Sequence, residues 1–158
     1  MKLHRLLVLG GAVAAGAAIA LSGALAAAPK GLMYSPIFAV LSGGNEVGNS
    51  GRANAGDPDG RGAATLLVHG NGKVCFTIVV THIGKPIAAH VHKAAAGLNG
   101  PVIIPLKAPS TGNPGTVGGC VDGISKTLIS DLERERGNYY VNVHTTDYPN
   151  GAVRGQLH

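Results

Sequence analysis

Two runs rich in β-branched and apolar residues, Ala63 to His69 and Lys73 to Thr81, are separated only by Gly70-Asn71-Gly72. A glycine-bearing break of this length between two β-prone runs is a hairpin signal, and a hairpin with apolar residues on both arms must bury one face against more sheet. The rest of the chain supplies that sheet in the same grammar. Ile37 to Leu41, Ile87 to His92, Val102 to Leu106, Thr116 to Val121, Tyr139 to Thr145 and Ala152 to Leu157 are further short β-prone runs. Gly/Asn/Asp/Pro turns separate many of them, Asp57-Pro58-Asp59-Gly60 being the clearest. Asp57 and Asp59 read as turn formers, since no glutamate follows at the spacing of a calcium loop. Eight such strands predict an all-β sandwich or barrel. With 25 glycines, 13% charged residues and no tryptophan, the composition excludes a coiled coil and a charge-rich disordered chain.

One helical connector is expected over Ser130 to Arg136, with Ser130 as N-cap, Glu133 as its capping-box partner and Gly137 as the stop. The charges Glu133-Arg134-Glu135-Arg136 read as a solvated face.

The N-terminus follows a different rule. Lys2 and Arg5 precede an uncharged stretch from Leu6 to Ala28, the layout of a secretory signal, and Ala24-Leu25-Ala26 offers a small-x-small cleavage site. This parses the chain as a signal peptide over 1–26, a linker over 27–37 and one domain over 38–158. Retention of the segment as a membrane anchor is the competing reading. Loss of Lys2 and Arg5 leaves 11 basic residues against 8 acidic, an excess of only +3. The bases are scattered, with no stripe and no interleaved aromatics, which argues against nucleic acid and, after cleavage, against a membrane surface as partner. A secreted, periplasmic or cell-surface location is implied. In such an oxidising compartment Cys75 and Cys120, the only cysteines, are expected to pair; two buried thiols are the alternative.

The histidines carry the chemistry. On a strand, His90 and His92 leave one face while Val91 takes the other, and Val141-Asn142-Val143-His144 repeats the alternation. If the valines share a core, His90, His92 and His144 face outward together, and Arg154 and Gln156 join that face from the last strand. Three neutral imidazoles suit copper or zinc with a position left open. The alternative is a hydrogen-bonded polar cluster in which His90 or His92 pairs with Glu46, Asn142 or a carbonyl and holds no ion. His69, His82 and His158 read as surface residues. No Gly-x-Ser-x-Gly, no phosphate-cradling Gly-Lys-Ser/Thr loop and no dinucleotide fingerprint is present, which leaves acyl and phosphoryl transfer unsupported.

Five ordered blocks resemble the CHRD (chordin-type) domain: Leu41-Ser42-Gly43-Gly44-Asn45-Glu46-Val47, Ala89-His90-Val91-His92, Gly97-Leu98-Asn99-Gly100-Pro101-Val102, Tyr140-Val141-Asn142-Val143-His144-Thr145, and Pro149-Asn150-Gly151-Ala152-Val153-Arg154-Gly155-Gln156-Leu157. The resemblance covers about Phe38 to the C-terminus. It implies an exported Greek-key antiparallel β-sandwich acting as a non-enzymatic binding module for an unidentified protein or surface ligand. A second similarity is to the ligand pattern of Cu/Zn superoxide dismutases, which share an immunoglobulin-like Greek-key sandwich. By position it implies copper on His90, His92 and His144, an anion-guiding Arg154, and a mononuclear copper protein with dismutase-like redox activity as the alternative function. It lacks that family's bridging histidine and zinc ligands.

Overall fold

The computed structural model describes residues 36–158; the predicted signal peptide and all of the predicted linker except residues 36 and 37 lie outside the described residues. Among the described residues eight strands are present, as expected: β1 (Ile37–Ser42), β2 (Arg61–His69), β3 (Lys73–Thr81), β4 (Pro86–Lys93), β5 (Val102–Leu106), β6 (Gly115–Val121), β7 (Tyr139–Thr145) and β8 (Val153–Gln156). They form one antiparallel ladder in the order β5-β4-β7-β8-β1-β2-β3-β6. The all-β expectation holds. Chain neighbours β3 and β4 lie in different halves of the ladder, so the chain crosses from one half to the other there, again between β5 and β6, and once more between β6 and β7.

The seam between the halves is narrow. β8 meets β1 through Ser42 and Arg154, and Phe38 exchanges two backbone hydrogen bonds with His158 at 3.1 and 3.0 Å. The predicted hairpin forms with His69 opposite Lys73, and Gly72 takes φ +87°, a conformation that disfavours any residue with a Cβ. At the other turn the Asp57 carboxylate accepts from the Asp59 backbone N–H at 3.2 Å.

Strict alternation builds the core. Ile37, Ala39 and Leu41 of β1 are buried while Phe38 and Val40 are exposed, and the same parity runs through Leu66, Val68, Ile78, Val80, Val91, Val141 and Val143. These residues belong to one contiguous cluster. On the outer side of the pleat, Cys75 and Cys120 are direct partners across β3 and β6, and they form the expected disulfide. The bond ties β6, at one end of the ladder, to its only strand neighbour.

The helix α1 (Lys126–Arg134) corrects the expected boundaries. Its N-cap is Ser125, whose Oγ accepts from the Leu128 N–H at 3.2 Å, and Ser130 sits inside the helix. The reason is burial: starting five residues earlier places Ile129 and Leu132 on one face, and both are sealed into the core. Tertiary packing outweighs the capping box at Ser130. The expected stop, Gly137, falls in a 3-10 turn between α1 and β7, and Glu133, Arg134 and Glu135 are exposed as predicted, with Arg136 half-buried. Among the described residues no helix is long and apolar enough to cross a membrane.

Two stability measurements check this account. Replacing both cysteines by serine removes a cross-link of sequence separation 45 and should cost about 4 kcal/mol at most in chain entropy, read from denaturant midpoints. Ser125→Ala should cost about 1 kcal/mol as a lost cap, whereas Ser130→Ala should be neutral or slightly stabilising.

Candidate metal centre

The β4–β7 pairing assembles the site. His90 stands opposite Asn142, Ala88 opposite His144 and His92 opposite Tyr140, while the intervening Val91, Val141 and Val143 point into the core. On the far side of β7, Arg154 of β8 is opposite Asn142 and Gln156 is opposite Tyr140. The pleat therefore places every candidate from these three strands on one face. That face is not open to solvent throughout. His92 is 8%, Asn142 2% and Arg154 1% exposed, because the segment between β4 and β5 folds over them.

Hydrogen bonds hold this cover down. The Arg154 guanidinium donates to the carbonyls of Leu98 (2.7 Å) and Ala95 (3.4 Å) and to the Asn99 side-chain oxygen (3.2 Å). It also lies 3.4 Å from the centroid of the Tyr140 ring. Gln156 donates to the carbonyls of Ala94 and Gly137, each at 2.7 Å, and Asn99 reaches back to the Val47 carbonyl at 2.9 Å.

The three histidines converge. One ligating atom from each lies within 4.8 Å of the others. The His90 Nδ1 to His144 Nε2 distance is 3.1 Å, a little under the roughly 3.3 Å that two nitrogens would span on a tetrahedral ion at about 2.0 to 2.1 Å each. His92 Nδ1 donates to the Gly100 carbonyl at 2.9 Å and its ring stacks on Tyr140 at 4.7 Å between centroids. His144 Nδ1 donates to the Pro149 carbonyl at 3.0 Å. Both rings are thereby held in the tautomer whose Nε2 carries a lone pair, and the buried His92 Nε2 meets no hydrogen-bond partner.

Electrostatics keep these rings neutral. Burial lowers the pKa of all three below the ordinary 6.5. The neighbouring imidazoles add to the effect at His90 and His144, and the Arg154 charge adds to it at His92; the Gly100 and Pro149 carbonyls and the Asn142 amide oppose it. The rings thus offer lone pairs at neutral pH.

The remaining candidates are not all drawn into the cluster. His92 pairs with a carbonyl, and neither His90 nor His92 pairs with Glu46. Glu46 is 3% exposed, and its carboxylate occupies the space a Cβ at Gly151 would need. Its Oε1 is buried without a hydrogen bond, and burial raises its pKa to about 7 against the lowering charge of Arg154. Arg154 sits on β8, one strand beyond Tyr140, with the guanidinium directed to the covering segment. His82 and His158 are exposed and His69 is half-buried. Sequence reasoning missed Tyr140, which shares the parity of Asn142 and His144, and it missed the carbonyls of Gly100 and Pro149, for which a sequence carries no signal.

The family model described as CHRD domain matches residues 37–157. The chain belongs to the CHRD-domain family. Neither the curated proteins nor the solved structures compared with it yield a match. In this CHRD domain the family-like blocks cluster in space: Asn45-Glu46-Val47, Asn99-Gly100 and Arg154 interlock around the cover of the histidine face.

Glu46 gives a pH test with a definite sign. Its folded pKa, about 7, exceeds the ordinary 4.5, so its contribution to stability is fully present below about 4.5 and is lost as pH rises through 7. Glu46→Gln removes the ionisation. The variant should gain up to about 3 kcal/mol over the wild type at pH 8 and show no such gain at pH 5, measured by denaturant melts at both values.

Proposed function

We propose that this CHRD domain is an exported, non-enzymatic module built around a mononuclear imidazole centre that takes copper on His90, His92 and His144. One observation carries the reading. His92 and His144 each commit Nδ1–H to a backbone carbonyl, which leaves Nε2 as the ring's lone pair; His144 Nε2 lies 3.1 Å from His90 Nδ1, and ligating atoms of all three rings lie within 4.8 Å of one another. Imidazole ligands of metal ions are oriented by such second hydrogen bonds. Without an ion, His90 Nδ1–H donates to His144 Nε2; with an ion, that proton moves to His90 Nε2 and both lone pairs become ligands. Copper is favoured over zinc by intrinsic affinity for nitrogen donors. Export is supported by the N-terminal signal pattern and by the disulfide, a bond typical of oxidising compartments.

Copper titration of the metal-free protein with spectroscopic detection tests this. One equivalent should bind, His144→Ala should remove most of the affinity, and His69→Ala should leave it unchanged. Affinity should fall as pH drops, with the loss setting in below 6.5 because the imidazole pKa values are lowered. Absence of stoichiometric binding, or binding indifferent to His144→Ala, overturns the proposal.

A second surface favours partner binding of a different kind. On the outer face of β1, β2 and β3, Phe38, Val40, Leu67 and Val79 are 37 to 67% exposed. Their direct partners in the ladder are Thr65, Ala63, Cys75 and Thr116, with no charge among them, and the charged Arg61 and Lys73 lie at the ends of the same face. An apolar, uncharged patch of this kind suits an unidentified protein or surface ligand. Binding through it should survive chelation and His92→Gln and be lost in Val40→Lys. Loss on chelation would reassign the partner to the metal centre.

A further inference from the structure

Two buried acceptors meet no donor on the histidine face. One is His92 Nε2, whose ring has already spent its proton on Gly100; the other is the side-chain oxygen of Asn142, a residue 2% exposed. Asn142 lies opposite His90 in the β4–β7 pairing and two residues before His144, so it belongs to the same patch of sheet. Its amide favours the protonated form of both His90 and His92, which places it beside the two rings. Nearby donors are turned elsewhere: Arg154, across β7–β8, gives its N–H groups to Leu98, Ala95 and Asn99, and Gln156 gives its amide to Ala94 and Gly137. Buried acceptors are ordinarily satisfied, and a pair left open side by side calls for one species that answers both. A lone water molecule answers both by donating its two O–H bonds. Where an ion takes the imidazole lone pairs, as in the copper reading, the water bound to that ion supplies the O–H for the amide oxygen.

We infer that Asn142 is a positioning residue for the exchangeable ligand of this centre, its side-chain oxygen accepting a hydrogen bond from a water molecule bound to the ion held by His90, His92 and His144. The inference rests on the copper reading above and adds a selectivity to it. Water and other ligands that carry a proton are favoured at the open position, while anions without one lose the hydrogen bond and face the amide oxygen.

Azide, an anion without a proton, is the probe. The exported protein is loaded with one equivalent of Cu(II), azide binding is followed by its charge-transfer absorption, and bound water by line broadening of the copper resonance in oxygen-17 water. Wild type should show the broadening and bind azide weakly. Asn142→Leu should keep the spectroscopic signature of three imidazoles and bind azide on the order of tenfold more tightly, the worth of one lost hydrogen bond to the competing water. Asn142→Asp retains the acceptor and adds negative charge, so azide should bind no more tightly than to wild type. If Asn142→Leu does not fold, the Asp variant decides: tighter azide binding there overturns the inference. Unchanged azide affinity in a folded, copper-loaded Asn142→Leu also overturns it. Failure of the wild type to take copper at all removes the centre itself, a result distinguishable from either.

Discussion

The pairing of β4 with β7 is the constraint on which the rest of the molecule turns. Its register sets Val91 beside Val141 and His90 beside Asn142, so one strand pair closes the core with one face and builds a polar cluster with the other. A slip of one residue would drive the imidazoles into the core and the valines into the polar face, an exchange that burial of apolar surface forbids. Core and candidate site are thus consequences of the same hydrogen-bonded ladder. The site inherits the rigidity of the ladder.

Arg154 shows how a buried charge can serve as a structural clamp. The guanidinium lies against Tyr140 while its donors gather the Ala95–Asn99 segment over the sheet, and the next residue, Gly100, supplies the carbonyl that orients His92. The same charge lowers the His92 pKa and opposes the rise at Glu46. Glu46 is packed against glycines where no side chain would fit, and the Arg154 charge offsets its desolvation only in part. The face therefore holds neutral imidazoles, one cation engaged by carbonyls, and one carboxyl poised near neutrality.

Periodicity made much of this visible before any coordinates. Every predicted strand is present with boundaries shifted by at most two residues, because alternation of period two and glycine-bearing turns are local properties of the chain. The parity of His90, His92 and His144 was legible for the same reason. The helix was misplaced because a capping box at Ser130 is a local signal, whereas the burial of Ile129 and Leu132 depends on what the helix packs against.

By itself, then, the sequence determined an all-β chain, the outward direction of three imidazoles and the single cysteine pairing available, since each follows from residue type and spacing along the backbone. Only the tertiary structure decided that the outward face is covered, that Arg154 is spent on carbonyls, that His92 and His144 give Nδ1–H to carbonyls, and that His144 turns Nε2 toward His90. Those outcomes depend on loops brought together from positions 46–48, 94–101 and 149–151. Backbone carbonyls carry no residue-type signature, so the groups that orient the histidines become recognisable only once the chain has folded.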